Sequence, residues 1–130
     1  MEDRYLFKAK HFEEWHIGNI VKEPDGLYIR DIKKNVMAYI DDESTICQCT
    51  GLKDKHGNLI WENDIVGFWD TYSTENGQAE MDCIGKVVWD DETISFQVTN
   101  RLSAESYEVL DECSVIGNIF DNPELLESEG

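Results

Sequence analysis

Positive charge is scarce beyond the midpoint of this chain. From residue 61 onward the only cations are Lys86 and Arg101, set against 17 Asp/Glu, a net charge of −15. Residues 1–60 hold 9 Lys/Arg and 11 Asp/Glu, a net of −2. A surface this anionic repels phosphate backbones, because nucleic-acid binding needs cations that displace condensed counterions. Direct DNA or RNA binding is therefore not expected, unless Arg4, Lys8, Lys10, Lys22, Arg30, Lys33 and Lys34 form a local patch that does it alone. No run of about 18 apolar residues exists, so no transmembrane helix is expected. The opening MEDRYLFKAK carries acidic residues and no apolar core of a signal peptide, which points to the cytoplasm. A G-x-S-x-G elbow, a P-loop, a G-x-G-x-x-G and an H-E-x-x-H are all missing, which lowers the odds of an enzyme.

What is present reads as short strands and frequent turns. At 130 residues the chain is expected to be one compact domain, with a core that needs no staples. Tyr5–Lys10 alternates, Trp15–Val21 continues strand-like, and Glu23-Pro24-Asp25-Gly26 is strong turn chemistry. Leu27–Ile32 and Val36–Ile40 flank Lys33-Lys34-Asn35. The polar connector 41–45 suggests a soft boundary between an N-terminal β-layer (1–44) and a barrel with its tail (45–130).

Gln48–Gly67 is the densest stretch of turn signals. Asp54-Lys55-His56-Gly57 places Asp where a turn accepts backbone bonds and Gly where positive φ is wanted. Glu62-Asn63-Asp64 is a second corner, in which Asn63 suits positive φ and Asp64 can accept backbone N–H bonds. Ile65–Asp70 is apolar on both parities, as a central strand should be. Thr71–Asp82 reads as a polar loop and Cys83–Trp89 as a strand in which Gly85 marks a bend or bulge. In Thr93–Thr99, Ile94, Phe96 and Val98 are expected to point inward. Residues 103–112 fit either a helical turn or a ragged strand. Ser114–Phe120 closes the sheet, and Asn122-Pro123 reads as the N-cap and first residue of a terminal helical turn whose Leu125 and Leu126 dock on the barrel. The pattern is all-β, not βαβ.

Two motifs in this order, TGLKDKHGNLIWENDIV (Thr50–Val66) and VIGNIFDNPELLE (Val115–Glu127), resemble the YopX family of phage and prophage proteins. The opening YLFKAKHFEEWHIGNIV (Tyr5–Val21) is similar to that family's first strand-and-Trp segment, so the resemblance spans almost the whole chain. It implies a β-rich fold with an SH3-like barrel over about residues 45–120 and a phage or prophage origin. The family's role is unassigned, so the resemblance carries over no functional residue. One departure stands in the corner usually written Glu-Gly-Asp, here Glu62-Asn63-Asp64, and Asn's tolerance of positive φ preserves the turn.

No catalytic, cofactor or metal site is expected. Cys47 and Cys49 share one strand face and could join Cys83 and Cys113 in a zinc site, but C-x-C within a strand is not the C-x2-C knuckle such sites use. Buried thiols acting as small hydrophobes fit better. His11 and His16 differ in strand parity and on a helix face, which argues against shared ligation, and His56 sits in a turn. Asp90-Asp91-Glu92 reads as a solvated tip. Trp15, Trp61, Trp69 and Trp89 are mostly core candidates, with Trp61, beside its tight corner, the likeliest exception, since SH3-like barrels use surface aromatics to bind extended peptides. The function that follows is a non-enzymatic protein-interaction module, acting on a protein partner or on itself as a homo-oligomer. The alternatives are an acidic mimic that occupies a host nucleic-acid-binding protein and a small metal-dependent hydrolase.

Overall fold

The computed structural model describes residues 6–92, 94–100, 106–108 and 113–127. Expectations placed on Arg4, Tyr5 and Thr93, and on most of 103–112, fall outside them. The chain is mainly β, with two antiparallel sheets and one short helix among the described residues, as the turn-rich sequence implied. It divides into two compact units, Met1–Gly51 and Leu52–Gly130. The connector 41–45 carries a single 3-10 turn, η1 (Glu43–Thr45), inside the first unit, with Asp42 capping it through a bond from Ser44 N–H.

In the first unit β1 (Phe7–His11), β2 (Glu14–Glu23), β3 (Gly26–Asp31), β4 (Val36–Tyr39) and β5 (Cys47–Lys53) lie in the order β4-β3-β2-β1-β5. Two tight turns set the register: His11 faces Glu14 across the first hairpin and Glu23 faces Gly26 across the second, at the Pro24-Asp25 turn. Ala9, Ile29, Ala38 and Ile40 form the core, with Ile20, Leu27 and Ile46 against it. Each fully buried side chain of Ile size contributes about 1.5–3 kcal/mol. Gly18 is required by close packing. A Cβ there would lie 1.8 Å from the Arg30 carbonyl oxygen, so β2 and β3 can run this close only at a glycine.

The second unit holds β6 (Leu59–Trp61), β7 (Asp64–Thr74), β8 (Gly77–Asp90), β9 (Ser95–Asn100), β10 (Ser106–Glu108), β11 (Ser114–Asn118) and α1 (Glu124–Glu127). Five of these strands form a sheet in the order β10-β9-β8-β7-β11, so β7 is internal, as its apolar run implied. Ile60, Val66, Val87, Val98 and Cys113 form its core, with Phe68, Phe96 and Val115 against it.

Three expectations are corrected here. Thr71–Asp82 is not a loop: β7 and β8 pair without interruption from Ile65↔Lys86 to Thr74↔Gly77, and the turn itself is only residues 75–76. The ladder is made by backbone groups, which side-chain polarity does not prevent from pairing. Gly85 is not at a bulge; the β7–β8 register runs straight through it and the β8–β9 ladder ends on it, and a Cβ would meet the Thr99 oxygen at 2.7 Å. The irregularity lies instead on β11, between Val115 and Gly117. Ile94 does not point inward. It is 75 % exposed in the β8–β9 turn at φ 54, while Val98 is buried.

The turn expectations are met in detail. Asn63 has φ 71 and Gly57 φ 83, and Asp64 accepts the Trp61 N–H at 2.8 Å. Asn63 also ties the corner into the unit, its N–H donating to Val87 O and its carbonyl accepting from Ile119 N–H. At the C-terminus Leu125 and Leu126 are half-buried, the Asn122 carboxamide accepts the Asn118 N–H and the Asn122 carbonyl accepts the Leu125 N–H.

Candidate functional site

The four cysteines are all buried, Cys47 and Cys49 on one face of β5 and Cys83 and Cys113 in the second unit. Cys113 belongs to the apolar core, and the Cys47 thiol donates to Thr45 O. Among the described residues no group of three or more His, Cys, Asp or Glu side chains is placed to hold a metal ion. His56 is exposed in its turn, and its N–H donates to Asp54. The acidic tip is tied locally, with Asp91 accepting from the Trp89 indole at 2.8 Å and Asp90 from Glu92 N–H.

The Trp expectation is corrected. Trp61 is 6 % exposed, whereas Trp89 is 43 % exposed and packs edge-on against Phe96. Ile60 and Trp61 are consecutive and both buried, so β6 is covered on both faces and its corner offers no open aromatic. Trp15 lies under the Lys8 and Lys10 ammonium groups, 4.6 and 5.1 Å from its ring. The side chain of Trp69 lies outside the described residues. The cationic residues do not make one patch: Lys8, Lys10 and Arg30 share one sheet face by register, Lys22 takes the other, and Lys34 pairs with Glu14.

The first unit brings together residues that strand parity kept apart. In a single strand, His11 and His16 would face opposite ways. The β1–β2 hairpin instead sets His11 opposite Glu14 and Ala9 opposite His16, which puts both rings on one face. β2–β3 pairing then adds Asp31, which faces Gly18, two residues from His16. His16 and Asp31 are 5 % and 3 % exposed, and His16 Nδ1 lies 2.9 Å from Asp31 Oδ2. Asp31 Oδ1 accepts the Lys34 N–H at 2.9 Å. Burial alone would raise the Asp31 pKa, but the bonds from Lys34 N–H and the His16 ring outweigh it and hold the carboxyl below its usual range. An ionised Asp31 only accepts, so His16 Nδ1 carries a proton and donates to it. His11 Nδ1 likewise donates to the Tyr39 carbonyl, 2.8 Å away, which can only accept.

His16 and His11 line one depression of about 510 Å³, together with Glu14, Lys34 and Tyr28. The rest of its wall is Val36, Met37, Ala38 and Tyr39, four consecutive residues of β4. Consecutive strand residues alternate between faces, so the depression runs along the edge of β4 rather than over one face. β4 ends the sheet, with β3 as its one neighbour among the described strands. Ile40 N–H donates to Leu27 O, which makes 27↔40 a hydrogen-bonded pair and, by alternation, 29↔38 and 31↔36 as well. Met37 and Tyr39 therefore turn their backbone groups away from β3, and the Tyr39 carbonyl meets His11 Nδ1 there. Tyr28 and Tyr39 meet edge-to-face at 5.4 Å, and the Tyr28 hydroxyl donates to Asp25, a bond that raises the Tyr28 pKa. Glu14, bonded to Lys34 at 2.5 Å, is held below its usual pKa by that bond and by the Lys34 charge.

Chemically, the depression sets two imidazoles, a carboxylate and an ammonium on an aromatic and aliphatic wall beside the terminal strand of the sheet. The fold defines a small two-sheet antiparallel β protein whose described pocket belongs to the first unit. The model of the YopX protein family matches residues 8–127, and the chain belongs to that family. No curated protein matches it.

The His–Asp pair was missed on sequence, although the signal was there. Counting register outward from the Pro24-Asp25 turn places residues 16 and 31 on the same face of adjacent strands.

Proposed function

We propose that this chain is a phage- or prophage-encoded, non-enzymatic protein-interaction module of the cytoplasm, which accepts an extended segment of a partner protein along the open edge of β4. The observation that carries this reading is the edge itself. Val36, Met37 and Tyr39 are exposed on a strand that ends the sheet among the described strands, next to a depression of about 510 Å³. Exposed apolar edges are ordinarily blunted by charge, proline or a bulge, and β4 has none of these between residues 36 and 39. Phe12 adds to the exposed apolar surface of the same unit, 69 % exposed in the turn between His11 and Glu14.

An acid–base enzyme is the weaker reading. His16 held by Asp31 resembles the orienting half of a nucleophilic triad, but the described lining includes no Ser, Thr or Cys for it to activate.

The test is capture from host lysate with wild type and with Met37→Pro. The Met37 N–H faces away from β3, so proline spares the β3–β4 ladder while blocking strand addition. A protein held by wild type and by Ile17→Ala, but lost with Met37→Pro, supports the reading. Capture indifferent to Met37→Pro overturns it. Light scattering separates the remaining occupant, since a Met37→Pro-sensitive dimer means that the added strand comes from a second copy.

A further inference from the structure

We propose that a second copy of this chain docks on the outer face of the first-unit sheet through the acidic, apolar tip of its β8–β9 hairpin. This contact uses the outward side of β1, β2 and β3 and not the β4 edge, so it stands apart from strand addition.

Cross-strand register sets the composition of the receiving face. Lys8 stands opposite Ile17, Lys10 opposite Trp15 and Asn19 opposite Arg30, and opposed residues share a face. The alternate positions of these strands hold the core residues Ala9 and Ile29, so this side looks away from the core. Ile17, Asn19 and Arg30 are exposed, and the Lys8 and Lys10 ammonium groups lie over the Trp15 ring. Along β1–β4 the same register places one carboxylate on this side, that of Glu23 at the far end of β2. The face therefore carries a local excess of positive charge in a chain whose net charge is −17.

The β8–β9 turn is complementary to it. Ile94 is 75 % exposed and Trp89 43 %. The Trp89 indole donates to Asp91 and meets Phe96 edge-on, which holds ring and carboxylate together at the tip, where Asp91 and Glu92 are exposed. Ile94 stands at φ 54, where a β-branched side chain is strained, and at that exposure it gains little burial within its own unit. Packing Ile94 and Trp89 against Ile17 and Trp15, with Asp91 and Glu92 toward Arg30 and the lysines, matches apolar surface and charge together. Two like faces would instead set Arg30 and the lysines against their own copies. At physiological ionic strength charges more than about 8 Å apart are largely screened, so the facing patches outweigh the net charge. A face that meets a tip is a heterologous contact, and each pair formed this way keeps one unused face and one unused tip.

The test is sedimentation equilibrium of the full chain at about 0.15 M salt. Wild type should associate reversibly, its mean mass rising with concentration. Arg30→Glu reverses an exposed charge on the face, and Ile94→Asn removes the apolar tip with a residue suited to positive φ. Each should weaken association about tenfold or more. Mixing the two variants is decisive and does not depend on either losing its fold. The intact tip of Arg30→Glu meets the intact face of Ile94→Asn, so the mixture should form one-to-one pairs about as tightly as wild type. Growth should stop there, because the unused face and tip of each pair are the altered ones. A mixture no more associated than either variant alone overturns the proposal, as does association indifferent to both changes. A monomeric wild type also overturns it, and capture of a foreign acidic protein that Arg30→Glu abolishes would then assign the face to that partner. Association lost with Met37→Pro but kept with Ile94→Asn places the self-contact at the β4 edge and overturns the face. Association that ignores Met37→Pro but is lost with Ile94→Asn supports the face, whatever the outcome of partner capture.

Discussion

Asp54→Asn offers the sharpest test of how the second unit is held. The carboxylate is 5 % exposed and joins two segments far apart in sequence. Oδ1 accepts from His56 N–H and Asn58 N–H, each at 2.9 Å, shaping the 54–58 turn. Oδ2 accepts from Val115 N–H at 2.9 Å and from the Asn58 carboxamide at 3.4 Å. Burial by itself would raise the Asp54 pKa, but the bonds from Val115, Asn58 and His56 prevail and lower it to about 2. The sign follows directly. A depressed carboxylate stabilises the fold above its unfolded pKa and loses that contribution as pH falls through the folded value. The shift corresponds to about 2 kcal/mol at neutral pH, of which about 1 kcal/mol is gone by pH 3. Asn keeps the acceptor for the turn but sets an NH2 against the Val115 N–H, adding a desolvated donor worth about 1–3 kcal/mol. Urea unfolding at pH 7 should therefore show Asp54→Asn less stable by about 3–4 kcal/mol. The gap between the two proteins should narrow as pH drops from 5 to 3. A loss under about 0.5 kcal/mol, or a gap independent of pH, would refute the account.

The other predictions are local. Gly18→Ala drives a Cβ into the Arg30 carbonyl, 1.8 Å away on the present backbone. β2 and β3 must separate, so a loss of about 3 kcal/mol or more is expected by thermal unfolding. Asn63→Gly should be tolerated, whereas Asn63→Val, forcing a β-branched residue to φ 71, should cost about 1–2 kcal/mol in the same assay. Phe12 stands at φ 56 in the β1–β2 turn, so Phe12→Asn, which suits that conformation, should raise stability by about 1 kcal/mol. Should it also weaken partner capture, the strained ring is kept for binding.

Sequence alone settled whatever is decided within a few residues. The turn at Asp54–Gly57, the corner at Glu62–Asp64 and the buried pair Cys47/Cys49 follow from backbone preference and strand parity, and each lies where those rules placed it. The family, too, was legible, because its two motifs are made of such turns. Composition misled where it stood in for pairing. The polar run 71–82 looks like a loop, yet every residue outside the 75–76 turn has a ladder partner, because strand formation there answers to the backbone opposite. Trp61 looked exposed from its neighbours in sequence, and the packing of β6 buries it.

The depression belongs wholly to tertiary structure. His16 and Asp31 are 15 residues apart and meet through strand register, and β4 is terminal only by its place in the order of the described strands. A strand's side chains alternate by local geometry, but its place in the sheet order is a property of the whole fold. The residues that would recognise a partner were therefore visible one by one, and their assembly into one site was decided by the sheet.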